Sequence, residues 1–186
     1  EITGASIGLA KRLRIPDDYF TLSQSLAYQY YNLNNYYTGL FPFGDGSSNN
    51  LSYTVALSRN NTFTNPIFPL GGSEFVLSAR FSLPYSLWNG VDYANLGDLE
   101  KFQDDDGNPD PAKIEQEKFK WLEFYKIKFK GSWYTRLFDK LVLRTHTEFG
   151  FLGAFNNDRG VIPFDRFFLG GDGMSQYAMD GRETIS

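Results

Sequence analysis

The chain has 186 residues, a net charge of −4 and no cysteine. The charge is too small to indicate a nucleic-acid partner, and without Cys there is no disulfide, thiolate metal site or thiol nucleophile. Aromatics reach 18% (18 Phe, 12 Tyr, 3 Trp) in a chain only 41% hydrophobic, and no stretch approaches the ~20 apolar residues of a membrane-spanning helix.

The pattern that dominates is alternation, which places successive side chains on opposite faces of a strand. Glu1-Ile2-Thr3-Gly4 lacks the charged-then-apolar pattern of a signal peptide and reads as the middle of a strand. Ala5, Ile7 and Leu9 then oppose Ser6 and Gly8. Phe20, Leu22, Leu26, Tyr28 and Tyr30 alternate with Thr21, Ser23, Ser25 and Gln29, and Leu51, Tyr53, Val55 and Leu57 with Ser52, Thr54 and Ser58. From Ser73 to Leu87, Phe75, Leu77, Ala79, Phe81, Leu83 and Tyr85 face away from Glu74, Ser78, Arg80 and Ser82.

The clearest stretch runs from Phe119 to Leu137. One parity is Phe119, Trp121, Glu123, Tyr125, Ile127, Phe129, Gly131, Trp133, Thr135 and Leu137; the other includes Leu122, Phe124, Lys126, Lys128, Lys130 and Arg136. An aromatic face opposite a cationic one separates two media. Trp121 and Trp133 lie twelve positions apart, roughly 40 Å of extended strand, which a tilt of about 45° projects to roughly 28 Å, the scale of a bilayer. Soluble strands are usually near 5–6 residues. The last alternating stretch sets Leu141, Leu143, Thr145, Thr147, Phe149 and Phe151 against Arg144, His146 and Glu148.

These readings predict an all-β fold, a transmembrane antiparallel β-barrel with about six strands in this chain. Three connections at one end (15–18, 61–72 and 138–140) are shorter than those at the other (38–50, 89–117 and everything after Ala154). Outer-membrane barrels have short periplasmic turns and longer external loops, so the second group is expected outside. Open sheet edges cannot sit in lipid, and the smallest such barrels have about eight strands. Residues 1–186 are therefore expected to be one partial barrel domain, completed by strands outside it.

Three segments carry a family resemblance. Gly8-Leu9-Ala10-Lys11-Arg12-Leu13-Arg14-Ile15-Pro16-Asp17-Asp18-Tyr19-Phe20 is a strand, a Pro-Asp-Asp-Tyr-Phe turn and the next strand. Asn65-Pro66-Ile67-Phe68-Pro69-Leu70-Gly71-Gly72-Ser73 is a proline-rich turn, and Phe164-Asp165-Arg166-Phe167-Phe168-Leu169-Gly170-Gly171 opens a long loop. In this order they resemble the Bam-type insertases, which assemble β-barrel proteins in the bacterial outer membrane; two-partner secretion transporters and translocation-and-assembly relatives are less similar.

The resemblance implies that the long external loop folds back into the lumen, that Pro66, Pro69 and Gly71 shape a periplasmic turn, and that Gly170, Gly171, Tyr177, Asp180 and Arg182 pack the loop. Where the family carries Val-Arg-Gly-Phe or Tyr, this chain has Asp172-Gly173-Met174-Ser175-Gln176-Tyr177. Only Tyr177 matches, Ser175 stands at the arginine's place, and Arg182 is the nearby arginine. The implied partners are unfolded outer-membrane protein clients, accessory periplasmic lipoproteins and outer-membrane lipid, with no nucleic acid, cofactor or enzymatic reaction. A secretion transporter and a porin-type channel are the alternatives.

Lys126, Lys128, Lys130, Arg136, Arg144 and Glu148 are expected to face the lumen. The cations could tune an anion pathway; the plainer reading pairs them with Glu74 and Glu148. Asp104, Asp106, Asn108, Asp110 and Glu115 fall at positions 1, 3, 5, 7 and 12 of a calcium loop, but Pro109 stands where glycine is needed, so a solvated acidic loop and no metal are expected. His146, the only histidine, has no second ligand and reads as a lumen hydrogen-bonder.

Overall fold

A computed structural model describes residues 1–34, 44–62, 69–162, 167–169 and 183–185. Six strands, β1 (Ile2–Arg12), β2 (Phe20–Leu33), β3 (Gly46–Asn60), β4 (Gly72–Ser82), β5 (Tyr125–Phe138) and β6 (Leu141–Gly153), form one antiparallel meander in chain order. A helix, α1 (Pro111–Phe119), lies between β4 and β5, and β7 (Phe167–Leu169) pairs in parallel with β8 (Glu183–Ile185). No helix among the described residues is long and apolar enough to cross a membrane. The all-β barrel-wall fold is therefore as the alternation predicts, and the connections fall at the two ends as expected.

Register carries the alternation from strand to strand. Leu26 faces Tyr53, Tyr53 faces Phe81, Phe81 faces Tyr125, and Leu77, Phe129 and Phe149 share a row. A one-residue slip would turn every ring to the other medium, so the two-faced pattern specifies the pairing. On the apolar face rings meet across strands: Phe20–Phe75 at 5.8 Å, Phe75–Phe129 at 6.1 Å and Phe129–Phe149 at 5.2 Å. Gln24 is a polar residue on this face, and its Oε1 accepts from the Tyr53 hydroxyl at 2.9 Å. That bond matters because an unpaired amide facing hydrocarbon costs several kcal/mol.

Two sequence-based expectations need correction. The predicted strand from Phe119 to Leu137 begins only at Tyr125. Pro111 occupies the first turn of α1, where its missing N–H is no loss, and the Asp110 carboxylate accepts from the N–H groups of Ala112 and Lys113. Phe119 closes that helix. Similarly, the stretch expected to run to Leu87 ends as a strand at Ser82, and Tyr85–Leu87 forms a 3-10 turn after Pro84.

The bilayer height inferred from the two tryptophans survives by another route. Trp121 forms a parallel bridge with Asn49 in β3, while Trp133 lies opposite Ser73, whose carbonyl accepts from Asn61 N–H. Asn49 and Asn61 are again twelve positions apart. The two rings therefore bracket roughly the same 28 Å as expected for a tilted span, measured along β3 rather than β5.

Residues 83–124, which contain the expected Gly-, Asn- and Asp-rich loop 89–117, fold into a cap. Tyr93, Leu96 and Phe102 are buried together with Val91 and Ile114 against them. Two-way bonds tie the cap to the end of β3: Ser47 N–H donates to Gln116 Oε1 at 3.0 Å, and Gln116 Nε2 donates to the Ser47 carbonyl at 2.7 Å. The Ser48 hydroxyl donates to the Phe119 carbonyl at 2.6 Å. β4 stops at the level of Ser52, so these contacts satisfy the β3 edge that β4 leaves open.

Candidate functional site

The polar face of β3–β6 is built by one parity. Lys130 is the register partner of Glu148, Tyr134 of Arg144, and Ser132 of His146. Glu148 is the hub: Lys128 Nζ lies 3.0 Å from Oε1, with Lys130 Nζ at 3.7 Å and His146 Nε2 at 3.8 Å from Oε2. Its side chain is almost wholly buried beside the two lysines, as a carboxylate removed from bulk water requires. Arg144 Nη2 donates to Ser132 Oγ at 3.3 Å, and the Tyr134 hydroxyl donates to Glu74 Oε1 at 3.2 Å. Arg136 turns to Asp139 at 2.8 Å beside the hairpin turn. A cavity of about 410 Å³ opens at the turn end of this face, lined in part by Arg59, Glu74, Lys130 and Arg144.

At the long-loop end the same face is apolar and filled. Leu33, Phe119, Leu122, Phe124 and Ile162 form a buried cluster, with Tyr31 and Leu152 packed against it. Leu122 and Phe124 interrupt the otherwise cationic parity because they serve as this plug. Below it, the Phe167 ring of β7 sits where Gly150 has no side chain, and Lys126 Nζ lies 4.6 Å from its centroid. An added Cβ at Gly150 would fall 2.4 Å from that ring. β7 thus lies on the inner face of the sheet.

Glu123, counted on the apolar parity, is a buried ion pair instead. Arg159 Nη1 donates to its Oε2 at 2.6 Å, and Ser86 donates to it from both N–H (2.8 Å) and hydroxyl (2.7 Å). Arg159 also donates to the carbonyls of Lys118 and Trp121 and lies 4.9 Å from the Tyr93 ring centroid. Neither residue stood out in the sequence, since nothing local marks a pair separated by 36 positions.

Of the proposed turn residues, Pro69 and Gly71 border β4, and Pro66 lies outside the described residues. The left-handed backbone falls at Gly72, with φ of 97°, where a Cβ would meet the Asn61 carbonyl at 2.3 Å. Arg59 joins this turn to the one before it. Its Nη1 donates to Ser73 Oγ at 2.6 Å, and Nε and Nη2 donate to Asp17 Oδ2 at 3.1 and 2.8 Å. The Arg59 guanidinium also covers the Phe20 ring at 5.5 Å. Two of the family-like segments are thereby one physical unit.

The hydrogen bond from Arg59 holds the Asp17 carboxyl below the usual carboxylate range; partial desolvation opposes this, and the Tyr19 N–H adds to it. A depressed folded-state pKa means that the bond's contribution is complete above the ordinary value near 3.9 and is lost as pH falls through the folded value. Acidification below about pH 4 is therefore expected to loosen the 13–19 turn. Protease nicking there, taken relative to an Asp17→Asn variant, checks this: the difference between the two proteins should vanish in acid.

Asp104 and Asp110 are engaged by backbone N–H groups. Asp104 Oδ1 accepts from Asp106 and Asn108 N–H at 3.0 and 2.8 Å. The Asn108 bond is the main reason its carboxyl is held below the usual range. Among the described residues no three His, Asp or Glu side chains gather as a metal site. The loop residues Gly170, Gly171, Tyr177, Asp180 and Arg182 lie outside the described residues.

A two-faced antiparallel meander of 11–15-residue strands, apolar on one face and charged along much of the other, is the wall of a transmembrane β-barrel. The Omp85 superfamily domain matches residues 2–175, and the chain belongs to that superfamily. Its members are outer-membrane β-barrel proteins and include both barrel insertases and polypeptide-secretion transporters. No curated protein matches the chain significantly.

Proposed function

We propose that this chain is barrel wall of a bacterial outer-membrane insertase, which folds client β-barrel proteins into the membrane. The filled inner face favours it over a diffusion porin: the plug around Phe124 and Leu122 and the Phe167 strap occupy space that such a porin leaves to water. The three ordered segments similar to the Bam-type insertases support it further. An incoming strand needs backbone partners before it meets lipid, and a sheet edge can template them. No bond is made or broken in such work, so the protein acts as a folding scaffold rather than an enzyme. Unfolded clients, periplasmic lipoproteins and the lipid itself are its partners.

The test is reconstitution of the protein in phospholipid vesicles with a urea-unfolded porin as client. Folding, read as resistance of the client to SDS at room temperature, is expected to accelerate at least about tenfold over protein-free vesicles, equivalent to about 1.4 kcal/mol off the barrier. A steady, large conductance without acceleration would identify a channel. Translocation of a soluble passenger without acceleration would identify a secretion transporter.

A further inference from the structure

The outward apolar face does not stop where the sheet does. Trp133, taken as the ring of the turn-side aromatic girdle, lies opposite Ser73, and Leu83 stands ten positions further along the same strand direction. That distance is roughly 33 Å at ~3.3 Å per residue, or about 23 Å along the membrane normal at ~45° tilt. An outer-membrane barrel carries an apolar band about 25 Å tall between aromatic girdles. Leu83 therefore closes the band, and the residues beyond it reach the outer interface.

Those residues are the 3-10 turn Tyr85–Leu87 and then Trp88. Outward-facing groups hold the turn on the lipid side of the wall. The Tyr85 ring packs on Trp121 at 4.7 Å, Trp121 is bridged to Asn49, and Asn49 accepts from the Tyr28 hydroxyl at 2.7 Å. Ser86 turns inward to Glu123. Leu87 and Trp88 then project from the cap, 67% and 68% exposed. A leucine and a tryptophan adjoining a lipid-facing band fit one medium well: the boundary between acyl chains and headgroups, where an indole buries its ring and keeps its N–H wet.

We propose that Leu87 and Trp88 form an interfacial anchor that seats the external cap on the outer leaflet. The cap then leans on the membrane instead of standing clear in water, and its rigid link to β3 transmits that contact to the wall. The occupant is lipid, because Leu87 and Trp88 follow directly on Leu83 and Tyr85 of the lipid-facing parity and are exposed there. This inference rests on the barrel wall and holds whether the protein inserts clients or exports polypeptides.

The test uses the full chain in phosphatidylcholine vesicles, with an environment-sensitive nitrobenzoxadiazole dye on a cysteine at Leu87→Cys. Leu77→Cys, midway along β4, and Asp105→Cys, on the exposed tip of the cap, serve as references. The dye at 87 is expected to emit to the blue of the dye at 105. It should also be quenched more by lipid brominated high on the acyl chain than by lipid brominated near its end, the reverse of the order at 77. Water-like, unquenched emission at 87 overturns the proposal, and so does blue-shifted emission that no bromolipid quenches, which would mean a protein surface covers the patch. SDS resistance of each labelled protein verifies folding. Should Leu87→Cys fail to fold, Trp88→Cys carries the dye instead, with the same spectra expected and the same spectra overturning the proposal.

Discussion

Replacing Arg159 by Ala is expected to destabilise the cap by about 3–5 kcal/mol, the usual cost of stranding one member of a buried ion pair. Glu123 is 3% exposed and Arg159 5%, so water cannot take over the lost bonds. The loss is compounded because Arg159 also satisfies the carbonyls of Lys118 and Trp121, which join α1 to β5. The sheet itself should persist, since none of its register bonds involves the pair. Protease nicking between Leu96 and Gly107 and faster hydrogen exchange across 85–124 are the readouts. The double variant Glu123→Leu, Arg159→Met should recover part of the loss, because removing both charges leaves neither unpaired. If the double variant is as unstable as the two single losses added together, the charges are not coupled and the assignment fails.

Gly150→Val should release the strap while leaving the wall in place. Valine suits a strand, so β6 loses nothing by it, but its Cβ would fall within 2.4 Å of the Phe167 ring. The half-buried ring then gives up its seat, worth about 1–2 kcal/mol, and its contact with Lys126, worth about 0.5–1 kcal/mol more. Amide exchange at Phe167–Leu169 is expected to rise by about ten- to a hundredfold, since each 1.4 kcal/mol is a factor of ten. Phe167→Ala should behave alike, and combining the two should add little. Unchanged exchange in β7 would mean that something other than the Gly150 seat holds the strap. In an insertase, a released strap would also raise ion leakage through the barrel.

The wall was legible in the residues because its signal is local. Side chains i and i+2 share a face whatever happens elsewhere, so Phe75, Leu77, Ala79 and Phe81 reveal a lipid-facing row without knowledge of any neighbour. The charged row was legible for the same reason, and its pairing through Glu148 follows once β5 and β6 lie side by side. The beginning of β5 misled for an equally physical reason. Residues 119–124 alternate, yet Asp110-Pro111 had already started a helix that ends at Phe119; the Asp-Pro cap was the local signal that could have revealed it.

The sequence by itself determined the six strands of the meander, their two faces and the end at which the long connections lie, because each depends on spacing within a single segment. Tertiary structure alone decided that Glu123 is an ion-paired core residue, that Arg59 ties two turns together, that Gly150 is a seat and that Leu122 and Phe124 plug the inner face. Those outcomes depend on partners at least 14 positions away, and no local rule of period or propensity selects which distant residue arrives.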